Sequence, residues 1–142
     1  MKKINVGRVL LGGFVAGVAL NIGESILNGV LLAKSSEEEL KGLGLSAPGG
    51  GFIAKAVVMT FILGFIIVFT YAAIRTQFGP GVKTAVCAGL LSWFCVYVYV
   101  GVIQTGLGFV SSRLALIGAV WGLVEYSIGA VAGAWLYKEA EA

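Results

Sequence analysis

The chain has 142 residues, 58% hydrophobic and only 12% charged, with a formal charge of +3 and a mean hydropathy of +0.97. A water-facing globular surface does not tolerate that balance, so composition excludes a soluble domain and predicts lipid as the solvent for most of the chain. The net charge is small and spread out, which leaves nucleic-acid binding without an electrostatic footprint.

A helix that crosses the hydrocarbon needs about 20 apolar residues at about 1.5 Å each, so four spans with short connections fill residues 1–142 as one domain. Lipid offers backbone N–H and C=O groups no partners, and continuous rather than alternating apolar runs favour helices over a barrel. The expected fold is all-α: an integral membrane four-helix bundle with helices antiparallel to their sequence neighbours.

The first run extends from about Val9 to Leu32 behind Met1-Lys2-Lys3. That opening resembles a secretory signal, but the run is long and contains Asn21 and Glu24, so it reads as a retained helix. Glu24 shares a helix face with Gly13, Gly17, Asn21 and Asn28. An ionised carboxyl within a span costs about 2.5 to 3.5 kcal/mol or more, so this face must meet protein or water. In the connection Lys34 to Gly51, Ser36-Glu37-Glu38-Glu39 fits a capping box that starts a short helix, and Gly42, Gly44 and Pro48-Gly49-Gly50-Gly51 break it. The segment reads either as a lid or as a plain solvated connector.

The second run spans about Phe52 to Ile74 and the third about Thr84 to Thr105. The tight turn Phe78-Gly79-Pro80-Gly81 makes them an antiparallel hairpin. Cys87 and Cys95, without CxxC spacing in a chain that has no His, read as buried packing residues. Tyr97, Tyr99, Gln104 and Thr105 read as interface contacts.

After a short turn from Gly106-Leu107-Gly108 to Ser111-Ser112, the fourth run spans about Leu114 to Tyr137. Here Glu125 shares a face with Gly118, Gly122, Gly129 and Gly133, and Trp121 lies one turn earlier. Small residues at four-residue spacing let helix backbones approach closely, so spans one and four are expected to pack through these two smooth, acidic faces. Trp135 and Tyr137 read as an aromatic belt with Lys138 snorkelling behind them. Trp93 and Trp121 read as gap fillers, although Trp121 beside Glu125 also suits a small cation over its ring.

Lys2, Lys3, Arg8, Arg75, Lys83 and Lys138 fall on one side, against Lys34, Lys41, Lys55 and Arg113 on the other, so both termini are assigned to the cytoplasm. Glu125 then sits near the midplane and Glu24 about 5 Å beyond it, counting about 1.5 Å per residue. A meeting of the two acids within one protomer and one across a dimer are both open, with Asn21 and Asn28 as available donors.

The stretches Asn5-Val6-Gly7-Arg8-Val9-Leu10-Leu11-Gly12-Gly13, Tyr71-Ala72-Ala73-Ile74-Arg75, Phe78-Gly79-Pro80-Gly81 and Gly133-Ala134-Trp135-Leu136-Tyr137 resemble those of small bacterial four-helix membrane proteins of uncharacterised function. The resemblance covers most of the chain and implies a bacterial inner (cytoplasmic) membrane location. In architecture alone the chain is also similar to small multidrug transporters, which have four helices and a first-span Glu and work as dimers. Only the acid matches, so no substrate-binding residue is carried over.

Two functional readings follow. In the first, the chain acts through helix-helix assembly, as a homo-oligomer or an accessory subunit of a membrane complex, and its buried Glu and Asn are interhelical glue. In the second it is a proton-coupled transporter or ion pathway that uses Glu24 and Glu125, with Asn21, Asn28 and Trp121 around them. Without His, a nucleophile paired with a base, or a metal cluster, the sequence calls for no enzyme activity, no metal and no cofactor. The expected partners are the lipid bilayer and either further copies of the chain or other membrane subunits.

Overall fold

A computed structural model of the protein describes residues 4–138; Lys2 and Lys3, which entered the count of charges, lie outside them. The described residues form five helices and no strand. They are α1 (Val6–Leu31), α2 (Ala33–Gly42), α3 (Gly50–Phe78), α4 (Val82–Gly106) and α5 (Ser112–Trp135). All but α2 are long and apolar enough to cross a membrane. The expectation of four helices is therefore corrected to five.

Local chemistry sets the ends. Asn5 caps α1 by accepting from the Arg8 N–H, and Ser111 caps α5 by accepting from the Leu114 N–H. Gly79 and Gly81, at φ of +80° and +138° around Pro80, stop α3 and turn the chain into α4. The capping box at Ser36 does not form. The last turn of α1, Leu27–Leu31, is a π-helix, and α2 follows after Leu32 alone. The Ser36 N–H donates to the Leu32 carbonyl, so the earlier helix end supplies the acceptors that a cap would have provided. A second π segment, Phe94–Tyr99, interrupts α4.

The four long helices stand in a ring in which α1 packs on α3 and α5, α4 packs on α3 and α5, and α3 also reaches α5 across the middle. Glycines make the closest approaches. A Cβ on Gly64 of α3 would sit 2.5 Å from both the Gly13 carbonyl oxygen and the Gly17 nitrogen of α1. A Cβ on Gly133 of α5 would sit 2.7 Å from the Gly12 carbonyl oxygen, and one on Gly89 of α4 2.6 Å from that of Tyr126. Spans one and four thus meet, through part of the expected face of α5 at Gly129 and Gly133 but through a different face of α1. Gly13 and Gly17 lie against Phe65, Phe61 and Gly64 of α3, while Gly12, Ala16 and Gly23 face α5.

The two ends of the bundle differ. Toward the chain termini, Val9, Ala16, Val68, Tyr71, Ala72, Ala88, Ala134 and Tyr137 form a closed core. Tyr137 is 5% exposed rather than part of a belt. Its ring meets Tyr71 edge-on at 6.0 Å, and the Arg75 guanidinium lies over both rings, 5.1 Å from Tyr137 and 5.4 Å from Tyr71. Its hydroxyl accepts from the Asn5 N–H at 3.3 Å, which ties the start of α1 to the end of α5. Trp135 does point outward, at 87% exposed. Toward α2 the helices splay, and no residue in 50–63 of α3 or 93–106 of α4 is buried. Cys87 and Cys95 both lie exposed on α4, against the expectation of burial, because the core-facing side of that helix is taken by Ala85, Ala88, Gly89 and Ser92.

Two glycine substitutions test this packing. Gly64→Val places methyls against backbone on the neighbouring helix, which cannot move aside as a side chain can, and should cost about 3 kcal/mol or more in reversible unfolding in mixed micelles. Gly101→Ala, whose nearest neighbour would be the Ala115 methyl at 3.8 Å, should be neutral or mildly stabilising in the same assay.

Candidate functional site

In the splayed half, Glu24 points from α1 toward α4. One carboxyl oxygen accepts from the Tyr97 hydroxyl at 2.8 Å, and the other accepts from the Asn28 side-chain N–H at 2.8 Å. Both donors are neutral. Each donor also sits on a π segment, Asn28 within Leu27–Leu31 and Tyr97 within Phe94–Tyr99. Such segments are rare and recur at functional sites.

Tyr97 is held from behind. Its ring lies on the α5 face of Gly118 and Gly122, where a Cβ at Gly122 would come within 2.5 Å of it, and it meets Tyr126 edge-on at 5.6 Å. One turn away, Trp93 packs on Gly122 and donates its ring N–H to the Ala119 carbonyl at 2.7 Å. Gly118 and Gly122, expected to seat α1, instead form the bed for these two rings of α4. Gly129 and Gly133 do face α1, at Leu20 and Gly12.

Glu125 occupies the far side of α1. Its residue is 7% exposed, and its carboxyl lies so close to Gly23 that a Cβ there would sit 2.5 Å from the carboxyl carbon. Neither carboxyl oxygen, nor the nearby Trp121 ring nitrogen, has a hydrogen-bond partner among the described residues. The two acids therefore lie at one level of the bundle, on either side of the α1 backbone, without a shared hydrogen bond. Asn21 does not serve either acid. Its side-chain N–H donates to the Gly17 carbonyl at 2.8 Å and to that of Val57 at 3.5 Å, holding α1 to α3.

The opposite flank of Glu24 faces a cleft of about 630 Å³ between α1, α2 and α3. Asn21, Ser25, Asn28, Ser36 and Thr60 supply its polar wall, and Leu40, Phe52, Ile53 and Val57 its apolar wall. Glu37 stands at the rim, where Lys41 at 2.8 Å holds its carboxyl below the ordinary carboxylate range through a hydrogen bond and charge attraction. Among the described residues no Lys or Arg lines the cleft, and no three His, Cys, Asp or Glu side chains converge as a metal site. On the other side of α2, a Glu39 carboxyl oxygen accepts from the Ser111 N–H at 3.2 Å, docking α2 onto the connection between α4 and α5.

The sequence reading brought Glu24 and Asn28 together and missed Tyr97, which it treated as an interface residue. Mid-span phenols carry the available signal, since a hydroxyl at that depth needs an acceptor and the chain offers few.

Tyr97→Phe removes the donor and keeps the ring, so it should cost about 1.5 to 3 kcal/mol in reversible unfolding. Tyr97→Ala also empties the bed over Gly118 and Gly122 and should cost about 3 to 5 kcal/mol. Comparison with models of protein families, with curated proteins and with solved structures finds no match to this chain.

Proposed function

We propose that the protein is a multi-pass membrane protein, with both termini in the cytoplasm, that binds protons or other cations at Glu24 in the course of their transport. The membrane placement is supported by the outward faces of the four long helices, where Phe14, Ile66, Phe69, Val102 and Leu116 are all half-exposed or more. In water such a surface would aggregate; in lipid it is the required one. In the sequence six Lys and Arg fall on the side of the termini against four on the other, which supports the orientation.

One observation carries the functional reading: an acid within a long apolar helix, held by two neutral donors and with no basic partner among the described residues, forms the wall of an open cleft. Interhelical glue needs the hydrogen bonds but not the cleft. An acid kept for ion traffic needs both. The assembly reading rested on smooth glycine faces offered to other chains. Gly12, Gly13, Gly17, Gly64, Gly118, Gly122, Gly129 and Gly133 are each covered from within the same chain.

Purified protein in liposomes containing a pH-sensitive dye should take up protons or exchange them for a cation. Glu24→Gln should abolish the flux, and Glu24→Asp, one methylene short of Tyr97 and Asn28, should lower it at least about tenfold. Flux unchanged in Glu24→Gln would overturn the proposal. A parent protein without flux that stays bound to other subunits in native mass spectrometry would return the chain to the assembly reading.

A further inference from the structure

We infer that the cleft beside Glu24 takes an ammonium group carried on an apolar body, which enters sideways from the bilayer. The inference rests on the proposed role of Glu24 and adds the chemical class of the ligand.

Sign comes first. With no Lys or Arg in the lining, an anionic or phosphate-bearing group placed there would face the Glu24 carboxyl with no basic group to offset it. A cation meets Glu24, whose oxygens are fixed by Tyr97 and Asn28 and retain further acceptor capacity. Number comes next. Glu37 already has Lys41 as its partner at 2.8 Å, so the cleft offers one uncompensated charge and calls for a monocation.

Size and shape exclude a bare metal ion as the fitting occupant. A cleft of about 630 Å³ lies in the range of sites for organic molecules of drug size, which are mostly apolar with a few placed polar groups. Leu40, Phe52, Ile53 and Val57 line one flank, while Asn21, Ser25, Asn28 and Thr60 surround the acid. The charged head therefore belongs at Glu24, with the apolar body along α3. Access follows from the splay: Phe52 is 63% and Ile53 55% exposed, so the apolar wall continues onto the outer surface of α3 with no helix across it. α2, latched to Ser111 through Glu39, covers the cleft from the end of the bundle.

Two sources carry this chemistry, the headgroup of an ethanolamine lipid and a free lipophilic amine. The test uses the full chain in uncharged maltoside micelles, titrated calorimetrically with hexylammonium and, as a neutral control, hexanol. Saturable binding of hexylammonium is expected, at least about tenfold weaker in Glu24→Gln and in Val57→Trp, whose ring fills the apolar flank. Equal binding of hexanol, or hexylammonium binding untouched by both variants, would overturn the inference. Val57→Trp leaves Glu24 and its donors in place. Proton flux that is present in the parent and lost in Glu24→Gln, while the parent binds no amine, defeats the ammonium assignment and leaves the role of Glu24 standing. Loss of neither activity in Glu24→Gln defeats both. In nanodiscs of mixed phosphatidylethanolamine and phosphatidylglycerol, lipid retained in native mass spectrometry identifies the source. Enriched phosphatidylethanolamine supports the headgroup, amine binding without lipid enrichment supports the free amine, and enriched phosphatidylglycerol counts against the inference.

Discussion

The backbone of α1 touches the backbones of α3 and α5 directly, and the rest of the architecture depends on that closeness. Where Gly64 meets Gly13 and Gly17, and where Gly133 meets Gly12, there is no room for one further carbon atom. In the lipid setting proposed for the chain the hydrophobic effect does not hold helices together, so attraction comes from dispersion and from hydrogen bonds made possible by short separations. With three helices locked this way and α4 seated on α5 at Gly89, the terminal half of the bundle is a fixed base. The Tyr71, Arg75 and Tyr137 cluster closes its end and ties the two ends of the described chain together.

The other half is more open: no residue in 50–63 of α3 or 93–106 of α4 is buried, and the space between α1, α2 and α3 is the cleft. Glu24 stands where the closed half gives way to the open one. On one side of α1, Glu125 lies against Gly23 beside a smaller apolar cavity of about 220 Å³, without a hydrogen-bond partner among the described residues; on the other, Glu24 has donors and the larger cleft. Two carboxylates at one depth thus occupy unlike surroundings. Such a pairing is one way in which proteins assign different duties to the same side chain.

Much of this was legible in the sequence. Four long apolar helices, their order, the turn at Gly79-Pro80-Gly81 and the joint face of Glu24 and Asn28 all follow from run length and from periods of three and four. The pairing of faces was not. Gly12 and Gly13 are adjacent residues that serve different neighbours, and a face drawn from Glu24 through Gly17 to Gly13 selects the α3 side while α5 takes Gly12, Ala16 and Gly23. Tyr137 illustrates a second limit. Its position at a helix end fits a belt by statistics, but the proximity of Arg75 and Asn5 depends on the fold of the whole chain. The π segments were equally hidden, since a run such as Phe94-Cys95-Val96-Tyr97 shows no Gly or Pro to announce a change of hydrogen bonding.

Those segments bear on how the polar centre is joined to the scaffold. A π turn accommodates one residue more than the α-helix around it, so it shifts the rotational phase of the residues that follow. On α4 the extra residue sets the rotational phase between Trp93, which seats the helix on α5, and Tyr97, which reaches Glu24. On α1 it sets the phase between Glu24 and the start of α2. The scaffold and the polar centre are thereby decoupled along the chain: a single-residue deletion at either place would turn the donor away from the acid while leaving the glycine contacts below it in register. A lineage could gain or lose the centre in one step without first rebuilding the bundle that carries it.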